Sequence, residues 1–95
     1  MSLELVCPAG TLPALRAAVD NGADAVYIGF RGATNARNFP GLNFSESEAA
    51  TGIAHAHERG ARVFVALNVY PSPATWEAAT AVIDSAARLG ADALL

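Results

Sequence analysis

An α/β fold of parallel β-α repeats is what this sequence predicts, and three features predict it. Short apolar runs alternate with longer segments whose apolar residues recur at helical spacing. Each helical segment ends on a glycine, and a new apolar run follows within a few residues. The junction itself recurs: Gly22-Ala23-Asp24-Ala25-Val26 returns as Gly90-Ala91-Asp92-Ala93-Leu94, with Gly60-Ala61-Arg62-Val63 as a looser third copy. The order is therefore strand-helix three times over, closing on a fourth strand. Right-handed crossovers make such strands parallel and sequentially ordered. Two architectures satisfy this: a doubly wound sheet, or the first half of a (β/α)8, TIM-barrel-like fold.

Each element has a local cause. Residues 3–7 form an apolar run interrupted by Glu4, and Pro8 and Gly10 end it. Thr11 is placed to cap the first helix, with Pro13 in its first turn, where a missing N–H costs little. Leu12, Leu15 and Val19 share one face, and Gly22 supplies the left-handed end. Residues 25–28 make the second strand, rich in β-branched and aromatic side chains. The stretch 29–44 is long for a connection and carries Asn35, Arg37, Asn38 and Asn43 among apolar Phe39, Leu42 and Phe44. Ser45-Glu46-Ser47-Glu48 is a capping box that opens the second helix. Its narrow apolar face is Ala49, Ile53, Ala56 and His57, and Gly60 ends it. Residues 62–68 are almost continuously apolar, as in strands buried on both faces. Ser72 and Pro73 start the third helix, whose expected core face is Trp76, Ala79, Ile83 and Ala86, and Gly90 closes it. Residues 91–95 begin a fourth strand without a cap or polar terminus. The expectation is that residues 1–95 are the N-terminal half of a barrel of roughly 250 residues. On its own, a half barrel with two open strand edges is expected to self-associate or pair with a second chain.

Composition narrows the function classes. With 53% hydrophobic and 16% charged residues, the chain is not a disordered or solvating type. Six arginines, scattered along the chain, against nine acidic residues give a net charge of −3, so nothing electrostatic points to nucleic acid. No apolar run approaches the roughly 18 residues of a membrane span, and the N-terminus lacks a signal peptide's basic and apolar regions. The single cysteine, Cys7, fits a reducing, cytoplasmic setting.

In a parallel barrel, chemistry collects at the C-terminal ends of the strands. Four places qualify: Cys7-Pro8-Ala9-Gly10, residues 29–44, Asn68-Val69-Tyr70, and whatever follows Leu95. Side-chain alternation directs Val26, Ile28, Val63 and Val65 to the helices and Tyr27, Phe64, Ala66 and Asn68 inward. Glu4 is expected inward or at the rim, because a carboxylate under the helices would be costly to bury. Asn68 would then be an amide at the mouth, or a turn residue bonding the backbone. Arg37 with Asn35 and Asn38 could clamp a carboxylate or phosphate, or staple its own loop. Cys7 is the one candidate nucleophile, with a buried small hydrophobe as the alternative. His55 and His57 lie two apart on a helix and point to nearly opposite sides, so they do not share a metal ion. No metal site is expected within these residues. The substrate-binding candidates are Tyr27, Asn35, Arg37 and Asn68.

Leu5-Val6-Cys7-Pro8-Ala9-Gly10, residues 21–29 (NGADAVYIG), residues 34–39 (TNARNF) and Gly41-Leu42-Asn43-Phe44 resemble the N-terminus of the collagenase-like peptidase family. The likeness runs along the whole chain and is densest over residues 5–44. The last two stretches point to the branch of UbiU-like ubiquinone-biosynthesis proteins. The resemblance implies a TIM-barrel-like domain and either peptidase activity or oxygen-independent hydroxylation of quinone precursors or RNA bases. For that branch it also implies a [4Fe–4S] cluster on four cysteines and a UbiV-like sister protein as partner. One cysteine cannot supply those ligands, so the cluster is expected downstream of this stretch, and these residues alone are expected to be inactive.

Overall fold

The structure, a computed structural model, describes residues 3–30, 44–67 and 72–95. Its elements are β1 (Val6–Pro8), α1 (Leu12–Asp20), β2 (Ala25–Ile28), α2 (Glu46–Glu58), β3 (Arg62–Val65), α3 (Pro73–Leu89) and β4 (Ala93–Leu94). The four strands form one parallel sheet in the order β1-β2-β3-β4. α1 packs on α2 and α2 on α3, so the helices lie side by side on one face of the sheet. Crossovers of one hand that always step to the next strand have this consequence. A doubly wound sheet would carry helices on both faces, so the half-barrel expectation is the one the architecture fits.

The local signals hold. Thr11 Oγ1 accepts from Ala14 N–H at 3.2 Å and caps α1. The capping box of α2 is reciprocal: Ser45 Oγ accepts from Glu48 N–H at 3.2 Å, and Glu48 Oε1 accepts from Ser45 N–H at 3.0 Å. At the three repeat junctions Gly22, Gly60 and Gly90 share a left-handed backbone, φ 102°, 76° and 87°. The core lies between sheet and helices. Val26, Ile28, Val63 and Val65 face it from the strands, and Leu15, Val19, Ile53 and Phe44 fill it from the other side. Gly52 lets the first two helices close together, because a Cβ there would sit 2.9 Å from Leu15 Cδ1.

The junction repeat exposes the sheet's stagger. Asp24 Oδ2 accepts from Leu5 N–H and Asp92 Oδ2 accepts from Val63 N–H, each at 2.7 Å. Leu5, Ala25, Val63 and Ala93 therefore hold equivalent places in successive strands. The register, however, pairs Ala25 with Val6, Val63 with Val26, and Ala93 with Phe64. Every step slips by one residue in the same direction. Over eight strands that slip would accumulate to the shear of about 8 that closes a (β/α)8 barrel.

Three expectations need correction. β1 runs over Val6–Pro8, not residues 3–7, because the Asp24 carboxylate and not a ladder partner takes Leu5 N–H. β3 runs over Arg62–Val65, shorter than expected, although Ala66 and Leu67 N–H groups still bond to Ile28 and Leu95. Trp76 is not a core residue: it is 65% exposed. α3 buries Ala79 and Ala86 and packs Val82 and Leu89 against the core. At 100° per residue that stripe is rotated by roughly 60° from the expected one. The rotation follows from α2, whose Glu46 draws Ser85 and Arg88 towards it. Trp76 and Ile83 are left on the opposite flank.

Candidate functional site

The face of the sheet opposite the helices is the one that would line a barrel. Val6, Tyr27 and Phe64 lie on it, together with Arg62 and Glu4. Tyr27 is 36% exposed and sits between Pro8 on β1 and Phe64 on β3. Tyr27 and Phe64 are thus adjacent aromatics, one on each of two neighbouring strands. Towards the N-terminal ends of the strands, Arg62 Nη2 donates to Glu4 Oε1 at 2.7 Å, and its guanidinium lies 5.4 Å from the centroid of the Phe64 ring. Ala25, on this face between Val6 and Arg62, is completely buried. The ion pair spans from β3 to the start of the chain. Both partners remain half exposed, so the pair contributes little to stability and mainly shapes the floor.

The inward direction expected for Tyr27 and Phe64 is the one observed, and Glu4, expected inward or at the rim, meets Arg62. Asn35, Arg37 and Asn68 lie outside the described residues, so of the four binding candidates Tyr27 is the one whose place is known. Cys7 pairs with Val26, is half-buried, and packs against the core on the helix side of β1. Its sulfur therefore faces away from Tyr27. Arg62 escaped the sequence reading as a member of this face. The signal was present: it is the copy of the junction repeat in which a cation replaces aspartate.

On the helix side of the same N-terminal end of the sheet, carboxylates hold the junctions. Asp92 Oδ2 accepts from Val63 N–H and lies 2.8 Å from His57 Nε2. Burial pushes the Asp92 carboxyl up, but the hydrogen bonds from His57 and Val63 and the charges of His57 and Arg62 outweigh it, so the group stays below its ordinary 3.8. His55 turns the other way, to Asp20 at 2.9 Å, where Arg59 joins it. The two histidines thus tie α2 to different neighbours. Glu46 is likewise held below the usual carboxylate range, first by the hydrogen bond from Ser85, then by Arg88.

These shifts fix the sign of a pH dependence. A carboxyl depressed in the folded state stabilises it above the unfolded value, and that contribution is lost as pH falls through the folded value. The thermal midpoint is expected to hold from pH 7 to about 4 and to drop below that. Asp92→Asn should flatten part of the drop. A series of melts from pH 7 to 3 on both proteins reads this, and parallel curves would remove Asp92 from the explanation.

A cleft of about 240 Å³ lies on the helix side, between the start of α2 and the middle of α3. Phe30, Phe44, Ala81 and Val82 wall it, and Ser45, Glu46 and Ser85 line its polar side. Among the described residues no group of three or more His, Cys, Asp or Glu side chains is placed to hold a metal ion. Nor is any described helix long and apolar enough to cross a membrane.

Comparison with known proteins places this geometry. Residues 10–95 match the profile of peptidase family U32. The tRNA hydroxylation protein P of Escherichia coli is 36% identical over 97% of this chain and 20% of its own length. The E. coli 23S rRNA 5-hydroxycytidine C2501 synthase is 38% identical over 98% of this chain and 14% of its own. An uncharacterized protease of Methanocaldococcus jannaschii is 38% identical over 70% of this chain and 16% of its own. The chain thus spans between 14% and 22% of the length of these and similar curated relatives.

Proposed function

The chain belongs to peptidase family U32, and from that premise we propose that it is the N-terminal half of a TIM-barrel-like domain serving oxygen-independent hydroxylation of an aromatic ring. The observation that carries this reading is the similarity, along nearly the whole chain, to proteins named for tRNA and rRNA hydroxylation. The open sheet face, with Tyr27 beside Phe64, is the wall we assign to substrate, and its role is to orient a planar ring. Asn35, Arg37 and Asn68, which lie outside the described residues, are the polar groups we propose for substrate contact. Their amides and guanidinium suit the carbonyl or carboxylate substituents of such a ring.

For the substrate we propose a ubiquinone precursor, on the UbiU-like pattern of residues 34–44. The net charge of −3 supports this over RNA, since the arginines form no basic stripe. In that reading the partner is a UbiV-like sister protein, and the setting is cytoplasmic. A [4Fe–4S] cluster on four thiolates does not fit the residues present, which include one cysteine, so no step of the chemistry is assigned to it here. The peptidase reading draws on the family name and on the archaeal relative. It would need Cys7 as nucleophile, and that side chain packs against the core.

The test is a chimera in which residues 1–95 replace the matching segment of E. coli tRNA hydroxylation protein P or of a UbiU-like protein, each expressed in a strain lacking the host protein. Mass spectrometry then measures hydroxylated tRNA nucleosides and anaerobic ubiquinone. Restored ubiquinone without restored tRNA hydroxylation is the expected result. Restored tRNA hydroxylation alone would move the substrate to RNA. Peptide hydrolysis that disappears in a Cys7→Ala chimera would replace the hydroxylation reading altogether.

A further inference from the structure

We propose that Arg62 is a positioning residue of the inner face: tethered by Glu4, it backs the Phe64 ring from below and leaves the upper face of that ring to carry the substrate. The substrate half of the proposal rests on the hydroxylation reading. The clamp itself rests on geometry alone.

The first support is the strand on which each copy of the repeat position turns inward. Leu5, Ala25, Val63 and Ala93 are equivalent, so Glu4, Asp24, Arg62 and Asp92, each one residue earlier, are equivalent too. The one-residue slip reverses the facing of this position at every step. Ahead of β2 and β4 it lies on the helix side, where the two aspartates accept Leu5 and Val63 N–H. Ahead of β1 and at the start of β3 it lies on the inner face, and there stand a glutamate and an arginine. Barrel interiors fill in layers drawn from alternate strands, so Glu4 and Arg62 belong to one layer, the lowest. Pairing among β1–β4 fixes this placement, whatever units complete the barrel. Branched aliphatic residues dominate such layers, so a charged pair in one calls for a use.

The second support is what the guanidinium touches. Ala25 is the register partner of both Val6 and Arg62, and its methyl leaves two long side chains room to meet. Arg62 Nη2 donates to Glu4 Oε1 at 2.7 Å. The same guanidinium lies over the Phe64 ring, 5.4 Å from its centroid, within the roughly 6 Å of a cation–π contact. Arg62 and Glu4 both stand on the N-terminal side of Phe64, so the ring face they occupy is the lower one. The upper face is turned towards the C-terminal strand ends, where barrel chemistry collects. Tyr27 is the register partner of Phe64, so two rings stand side by side at one level and Arg62 holds one of them.

The third support is magnitude. Both partners of the ion pair are half exposed, and such a pair adds little to folding. A cation–π contact at such a site shifts an equilibrium by roughly 2- to 5-fold. That is too little to hold a fold together and enough to favour one orientation of a ring.

The test has two readouts in the chimera described above. In the first, 4-fluorophenylalanine replaces Phe64 and fluorine NMR follows the ring. Arg62→Gln is expected to move and broaden the resonance, Arg62→Lys to restore it in part, and Glu4→Gln to fall between. Superimposable spectra for Arg62 and Arg62→Gln would overturn the clamp. In the second, substrate is titrated against hydroxylation. Arg62→Gln should raise KM by roughly 2- to 5-fold with kcat nearly kept, the mark of lost binding and not of lost chemistry. Phe64→Leu should raise it further, and adding Arg62→Gln to Phe64→Leu should do nothing more. An Arg62→Gln effect of the same size in the Phe64→Leu background would overturn the positioning role, because Arg62 would then act without Phe64. A chimera that hydroxylates neither substrate would overturn the hydroxylation reading and with it the substrate half of the proposal, while the fluorine spectra would still decide the clamp.

Discussion

Phe44→Ala is expected to unfold this protein or bring it to the edge of unfolding. Phe44 is 1% exposed and is the largest of the fully buried side chains. It bridges to Phe30 in parallel fashion, and its N–H donates to Gly29 O at 2.9 Å. It also immediately precedes Ser45, the cap of α2, so the side chain fixes where that helix begins. Truncating a buried phenylalanine costs about 3–5 kcal/mol. Domains of this size hold about 5–15 kcal/mol in all. In a melt followed by circular dichroism, the midpoint should fall by roughly 12–40 °C. Phe44→Leu, which keeps most of the volume, should cost less than half as much. A shift of only a degree or two for Phe44→Ala would mean that the core is filled by something else.

The second large effect is functional. On the proposed reading Tyr27 carries a planar ring on its exposed face, and Tyr27→Ala in an active chimera should lower hydroxylation. Loss of an aromatic stacking partner costs about 1–3 kcal/mol, a fall of roughly 5- to 150-fold. Tyr27→Phe keeps the ring and should retain most of the activity. Neither change should shift the melting midpoint by more than a few degrees, because the side chain is 36% exposed and outside the core. Equal activity in the alanine and native chimeras would remove Tyr27 from the site. A loss shared by Phe and Ala would assign the role to the hydroxyl.

Much of the architecture was legible in the residues because its causes are local. The capping box at Ser45, the cap at Thr11 and the left-handed glycines each act within a few residues, and each stands where the sequence put it. Period-two alternation likewise placed Val26, Ile28, Val63 and Val65 under the helices and turned Tyr27 to the other face. The site was legible in part. Tyr27 and Phe64 followed from alternation, but Arg62 did not stand out, since nothing within one strand says which charged residue will meet Glu4, 58 positions away.

Two things were decided by tertiary structure. One is the exposed flank of α3. The sequence gives this helix an apolar arc wider than one neighbour can cover, and packing against α2 chose which part to bury, leaving Trp76 outside. The other is the meaning of the repeat. Its third position holds Asp24, Arg62 and Asp92, and a one-residue slip between strands gives that position opposite parity in successive strands. In β3 it reaches the open face, where Arg62 meets Glu4; before β4 it meets His57 and the Val63 amide. Sequence alone determined the strands, the helices and the junctions between them. The stagger between strands is a property of pairs, carried by no residue singly, so it took the assembled sheet to give one repeated position two different roles.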